Sequence, residues 1–217
     1  MQLQPIVARR PLPSGLIPAL SDDELEIVGT TRCFARDQEI FGEGELAEFA
    51  YKVISGAVRC FRILCDGRRQ ISDFYLPGDI FGLGLHVERR ETAEALADTE
   101  LTLVRRSTLA ADPQNAPRLW RQAVRDLQRS QAHALTLGRR SASERVASFL
   151  IDLADRTFAG RNLELPMTRQ DIADYLGLTI ETVSRTLTQL QGQGMIEVAV
   201  GRRLRLVDPQ ALADLCE

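Results

Sequence analysis

Histidine, lysine and cysteine are scarce in this 217-residue chain, and each scarcity removes a class of function. His86 and His133 are the two histidines. A metal-dependent barrel enzyme needs two or three imidazoles plus a carboxylate on adjacent strands, and His133 falls in a helical pattern, so that reading is excluded. The four cysteines, Cys33, Cys60, Cys65 and Cys216, have neither the density of a disulfide framework nor zinc-ligand spacing. A reducing cytoplasm is the compartment this usage implies. No run approaches the ~18 apolar residues of a membrane helix. The opening MQLQPIVARRPLPSG is cut by prolines and lacks an apolar signal core, so residues 1–20 read as a loose N-terminal arm. A glycine-rich phosphate loop, a nucleophile elbow and a paired-carboxylate motif are all missing, and the chain is expected not to be an enzyme.

A surplus of positive charge is missing too. The formal net charge is −3, and Lys52 is the only lysine. Charge is nonetheless uneven: residues 21–51 hold nine acids against two arginines, and residues 118–145 hold seven arginines against two acids. For a nucleic-acid partner the local placement matters more than the total.

What is present centres on TRQDIADYLGLTIETVSRTLTQLQ, residues 168–191. Ile172, Ala173 and Leu176 share one helical face. Thr168 with Asp171 three residues later forms a capping box, and Gly177 stands where a left-handed C-cap wants glycine. Thr179 then caps a second helix with Ile180, Val183, Leu187 and Leu190 as its buried stripe. The opposite face carries Glu181, Ser184, Arg185 and Thr188, mainly in the first two turns. This is the layout of a helix-turn-helix that offers its second helix to the DNA major groove. The side chains suit that task. Arginine donates two bonds to guanine, a carboxylate accepts from the cytosine amino group, and serine contacts either base edges or a thymine methyl. A plain amphipathic hairpin with a solvated face is the alternative. Against it, residues 195–200 and 203–207 read as two strands around a Gly201-Arg202 turn. They form a wing with Arg202 and Arg203 at its tip, suited to phosphate contact.

Upstream, residues 21–28 open with an N-cap and acids, the signature of a short helix. Short strand-like runs follow at 39–41, 49–54, 57–64, 68–76, 80–83, 93–97 and 101–105, separated by turn residues such as Asp66-Gly67 and Pro77-Gly78-Asp79. Such spacing argues a small antiparallel barrel or sandwich. After Pro113 the pattern is helical to about Leu137. Leu119, Ala123, Leu127, Ala134 and Leu137 lie near one face, a narrow seam fitted to the same helix of a second subunit. A helix lying on its own barrel is the alternative. The stretch Gly138-Arg139-Arg140-Ser141 reads as the hinge, and Val146, Phe149, Leu150, Leu153 and Ala154 mark a further amphipathic helix over 143–158. The expected fold is α+β. An N-terminal antiparallel β-roll of the cupin-like jelly-roll kind (21–112) is followed by a long dimerisation helix (113–138) and a C-terminal winged helix-turn-helix (139–217). Each of the two domains is expected to have its own core.

PGDIFG at residues 77–82, SERVASFLIDLA at 143–154 and the run MTRQDIADYLGLTIETVSRTLTQLQGQGMI carry a resemblance to the family of the cyclic-AMP receptor protein and FNR. The likeness spans nearly the whole chain, and Glu-x-x-Ser-Arg in the recognition helix looks like the FNR and FixK branch. It implies a homodimeric, cytoplasmic transcription activator that contacts RNA polymerase. The implied target is double-stranded DNA carrying a TTGA-N6-TCAA-like palindrome. Glu181, Ser184 and Arg185 would be its base readers. Thr168, Thr179, Ile180, Thr182 and Thr188 would make further DNA contacts, and Arg202 and Arg203 would touch phosphate. Cyclic-nucleotide binders of the family use a Gly-Glu pair for ribose and Arg-Ser/Thr-Ala for the phosphate. Here Glu91-Thr92-Ala93 puts a carboxylate in place of the arginine, and Phe81-Gly82-Leu83-Gly84 lacks the glutamate, so cyclic nucleotide is not expected. An FNR-type iron–sulfur cluster needs four converging thiolates, and no cysteine precedes Cys33. The expected cofactor is none. Two alternatives stand beside this reading: a ligand-, redox- or haem-controlled regulator of the same family, with haem held by His86 or His133, and a cyclic-nucleotide signalling module.

Overall fold

Apolar and polar side chains alternate through residues 30–105, and the chain there folds into two antiparallel sheets. The structure is a computed structural model that describes residues 25, 27–157, 160–199 and 202–216. Eight strands succeed one another: β1 (Thr30–Phe34), β2 (Glu39–Phe41), β3 (Phe49–Ser55), β4 (Val58–Ile63), β5 (Arg69–Tyr75), β6 (Ile80–Phe81), β7 (Thr92–Ala95) and β8 (Thr99–Arg105). One sheet runs β1-β8-β3-β6 and the other β2-β7-β4-β5. The period of two turns Tyr51, Val53, Leu101 and Leu103 inward from the first and Val58, Cys60, Ala93 and Ala95 inward from the second, making one core between them. The arm 1–20 lies outside the described residues. So does most of the stretch read as a short helix at 21–28. Of that stretch Leu25, Ile27 and Val28 are described and are not helical, and Leu25 and Ile27 are buried against the first sheet.

Several boundaries differ from the sequence reading for identifiable reasons. The first strand begins at Thr30, ahead of the strand-like run at 39–41, because β1 pairs along β8, Thr30 opposite Leu103. Thr99, outside the strand-like runs at 93–97 and 101–105, is a buried strand residue. Its hydroxyl accepts from the Ala57 amide (3.2 Å) and donates to the Ala57 carbonyl (3.1 Å). That bond closes the turn at Gly56, where φ is +81° and a Cβ would lie 2.6 Å from the Asp98 carbonyl oxygen.

Beyond the roll come α1 (Arg106–Ala111), a 3-10 turn (Pro113–Asn115), α2 (Ala116–Arg139) and α3 (Ala142–Thr157). With 24 residues, α2 is about 36 Å long. It continues through Gly138, and the break falls at Arg140, which is extended (φ −94°, ψ 144°). The last unit is β9 (Asn162–Glu164), α4 (Arg169–Leu176), α5 (Ile180–Gly192), β10 (Ile196–Val198), β11 (Arg203–Leu206) and α6 (Pro209–Asp214), with its sheet in the order β10-β11-β9. The wing therefore has a third strand, β9, too short to show in the sequence. The wing-tip residues Val200 and Gly201 lie outside the described residues.

The roll keeps the core between its sheets, and its outer face adds to the core of the head. Ala57, Phe61, Ile71, Phe74 and Leu76 of the roll share one apolar cluster with Phe149, Leu150, Tyr175 and the interior of the winged helix. A bulge makes this geometry. Phe61 pairs with Ile71 and Cys60 with Asp73, which leaves Ser72 as the extra residue on β5. Alternation flips there, so Ile71 before the bulge and Phe74 after it face the same way, toward α3 and α4. Tyr75 then turns into the roll. Phe74 sits 5.1 Å from the Tyr175 ring and 6.1 Å from Phe149, in the edge and tilted arrangements aromatic pairs favour.

Candidate nucleic-acid interface

The helix-turn-helix forms from local signals. Thr168 caps α4: its hydroxyl accepts from the Asp171 amide (3.1 Å), while Asp171 Oδ2 accepts from the Thr168 amide (2.8 Å) and hydroxyl (2.7 Å). Gly177 ends α4 in the left-handed region, φ +61°. Thr179 caps α5 by accepting from the Thr182 amide at 3.2 Å. Val183, Thr186, Leu187 and Leu190 are the buried side of α5. Ile180, read as part of that stripe, is more than a third exposed at the helix start, and Thr186 takes its place in the interior.

The outward side of α5 brings together the residues singled out as base readers. Glu181, Arg185 and Thr188 are exposed and Ser184 is half-buried. Hydrogen bonds from its own amide and from the Thr179 side chain hold the Glu181 carboxyl below the usual range, so it stays an ionised acceptor. Thr182 is half-buried with its hydroxyl 3.1 Å from that of Thr179. The Thr188 hydroxyl donates to the Ser184 carbonyl at 3.0 Å. Sequence reasoning missed Arg169, which leads α4 and donates to the Ser184 hydroxyl at 3.3 Å across the turn. A lone arginine beside an N-cap gave no sign of it. On the wing Arg203 is exposed. Arg202 is half-buried, and its guanidinium donates to the Pro166 carbonyl at 2.6 Å, so it braces the wing against the α3–α4 connection.

Three charged clusters hold this head on the rest of the chain. Arg145 donates to the carbonyls of Leu137 (2.8 Å), Arg140 (2.9 Å) and Leu176 (2.9 Å), tying the end of α2, the break and the end of α4 together. Arg59 and Arg69, on β4 and β5, both reach Asp171 Oδ1, at 3.1 and 2.7 Å. Arg69 also pairs with Asp174 at 2.8 Å, and Arg59 with Glu94 at 2.6 Å. Burial opposes the charge on Asp171, but the Thr168 bonds and the two guanidiniums more than offset it and hold the carboxyl below its usual range. At the far end of β5, Arg129 of α2 and Arg156 of α3 converge on Asp73 and Asp79.

The seam residues on α2 divide. Ala123, Leu127 and Ala134 are exposed, together with Trp120 and Leu135, which the sequence reading did not include. Leu119 packs on the roll against the cluster of Ile80, Val104 and Leu109. Leu137 is half-buried and lies near Gly177. Of the histidines, His133 stacks on Tyr175 with ring centres 4.0 Å apart, and burial lowers its proton affinity.

Inside the roll aromatic side chains pack against one another. Phe41, Tyr51, Phe81 and Tyr75 make a continuous stack with ring centres 4.8–5.5 Å apart along it. The Arg89 guanidinium lies 4.1 Å over the Phe41 ring and bonds to the carbonyls of Phe49 and Gly82. Glu91 accepts from the Ser72 hydroxyl at 2.6 Å. Cys60 is buried there, and desolvation with Glu91 and Asp73 nearby pushes its thiol up, away from thiolate. Cys33 and Cys65 are exposed, and Cys216 is half-buried with its sulfur 3.2 Å from the Ser148 hydroxyl.

Fold and reading face together define a winged helix-turn-helix regulator joined to a roll of the cyclic-nucleotide-binding kind. A Crp-like helix-turn-helix domain matches residues 144–215, and a cyclic nucleotide-binding domain matches 31–111. The nitrogen fixation regulation protein FixK of Azorhizobium caulinodans is 51% identical over 197 residues, covering 87% of this chain and 79% of the relative. FixK of Rhizobium meliloti is 44% identical, covering 82% of this chain and 83% of its own. The structure of FixK2 from Bradyrhizobium japonicum superposes with a TM-score of 0.83 at 46% identity, over 87% of this chain and 97% of that one. The chain belongs to the CRP/FNR family of transcription regulators, in its FixK-like branch. Its relatives are regulators, no enzyme family is indicated, and no described helix is long and apolar enough to cross a membrane.

Proposed function

We propose that the chain is a homodimeric, cytoplasmic, sequence-specific transcription activator that reads a TTGA-N6-TCAA-like palindrome and contacts RNA polymerase, with no iron–sulfur cluster, haem or cyclic nucleotide. The observation that carries this is the outward row Glu181, Ser184, Arg185 on the first two turns of α5, flanked by exposed Arg203. Arg185 donates to guanine, Glu181 accepts from a base amino group, and Ser184 contacts the neighbouring base. The exposed apolar stripe Trp120, Ala123, Leu127, Ala134 and Leu135 supports pairing through α2. The aromatic stack in the roll and the carboxylate of Glu91 support independence from cyclic nucleotide, since a phosphodiester would meet both bulk and like charge.

Gel shifts with the palindrome test this reading. Arg185→Ala is expected to cost ~1–3 kcal/mol per half-site and to erase the preference at the guanine. Half-site centres lie ~10 bp apart on one face of the duplex, so inserting ~5 bp between them abolishes specific binding. Added cyclic AMP leaves the affinity unchanged. A tenfold response to it, ~1.4 kcal/mol of coupling, would overturn the ligand-free reading.

A further inference from the structure

We propose that Arg59 and Arg69 of the roll are positioning residues for DNA reading, acting through Asp171 to fix the angle at which α5 meets the groove. The inference rests on the DNA-binding reading above and adds what sets spacing discrimination.

Asp171 is 1% exposed and stands in the first turn of α4. Its two oxygens have separate tasks. Oδ2 takes the Thr168 amide and hydroxyl and so closes the cap that starts α4. Oδ1 takes one guanidinium from β4 and one from β5. The cap of the first helix of the motif is thereby bolted to the roll. Arg169, two residues before Asp171, touches Ser184 on the reading face, so the bolt and the reading residues share one short rigid path. Asp174, one turn further along α4, gives Arg69 a second anchor. The apolar contact of Phe61, Ile71 and Phe74 with Tyr175 and Phe149 presses the same surfaces together but has no preferred direction along the face. Charge-assisted bonds at fixed points supply that direction. A homodimer can engage both half-sites only when the two heads are presented at the matching separation. Heads held rigidly reject a wrong spacer. Heads released on a two-residue break accept it and lose the affinity gained from pre-organisation.

The test compares wild type, Arg69→Asp and the charge-exchange variant Arg69→Asp/Asp174→Arg. Affinity is measured on the palindrome and on the same half-sites with one base pair added or removed between them. In Arg69→Asp the preference for the native spacer is expected to fall ~10-fold, with base preference within a half-site kept, and the exchange variant is expected to restore most of it. General loss of fold would weaken all spacers alike and would not be rescued by the exchange. A second readout uses no DNA: energy transfer between dyes on the roll and on α5 should report a broadened distance in Arg69→Asp and a narrow one again in the exchange variant. Unchanged spacer preference and unchanged distance in Arg69→Asp would overturn the positioning role. Absence of any base preference in wild type, with the dye distances behaving as expected, would instead overturn the DNA-reading assignment and leave the bolt standing.

Discussion

The interior of the roll and the outward face of the reading head treat arginine in opposite ways. In the roll Arg89 is sunk over Phe41 and bonds through its two terminal nitrogens to carbonyl oxygens, while Arg59 and Arg69 are committed to carboxylates at the domain boundary. In the head Arg185 and Arg203 are exposed on the surface that would meet DNA. A guanidinium has five donors and keeps its charge at any working pH, so burying one unpaired is costly and exposing one is cheap. The interior of the roll is a stack of aromatic rings with Arg89 laid over it. The outward face of the head leaves Glu181, Arg185 and Arg203 exposed.

The comparison breaks most severely if roll and head are independent after all. Phe74 is 2% exposed in the cluster both share, so Phe74→Ala should cost ~3–5 kcal/mol and lower one common unfolding transition. Urea denaturation followed by Trp120 fluorescence and by far-ultraviolet dichroism checks it, and two separated transitions would show that roll and head unfold independently. Next in size is the face of α2 that belongs to neither region. Leu127→Glu places a charge in an apolar seam and should weaken self-association ~100-fold, about 3 kcal/mol. Sedimentation decides; an unchanged dimer would move the seam elsewhere.

The wing sharpens the contrast within the head itself. Arg203→Ala should lower the slope of log affinity against log salt by about one unit and leave stability alone. Arg202→Ala should instead cost ~1 kcal/mol of stability, because its guanidinium bonds to the Pro166 carbonyl. Equal salt slopes for the two variants would mean that both reach phosphate. The smallest effect sits between the two regions, at His133 on Tyr175. Burial lowers its proton affinity below the ordinary value of 6.5, so the unfolded chain takes up the proton first. The stability this residue supports is whole above about pH 6.5 and is lost as the pH falls. His133→Phe keeps the stack and should shrink the fall in melting temperature between about pH 7.5 and 5.5. An equal fall in both proteins would mean the imidazole does not titrate as buried.

Sequence alone determined the parts made by neighbours in the chain. Thr168 with Asp171, Gly177 and Thr179 act within a few residues of their own helices, and short-range hydrogen bonds and the steric freedom of glycine decide them before any tertiary contact forms. Alternation did the same for most strands, and the i, i+3, i+4 row of Glu181, Ser184 and Arg185 is a local property of one helix. Thr30, Thr99 and the three-residue β9 escaped because pairing with a distant strand, not their own pattern, made them β. Tertiary structure decided the rest. Arg59 finds Asp171 across 112 residues of sequence and Arg69 across 102, and no period or spacing encodes such a meeting. The bulge at Ser72 lets Ile71 and Phe74 both face the head, and with them the outer face of the roll joins the head's apolar cluster. Arg202, expected at phosphate, also finds the Pro166 carbonyl at 2.6 Å, a partner no local pattern supplies. Local rules assign a residue its element, but whether its charge is spent inside the molecule or offered outside depends on what the folded chain carries to its side.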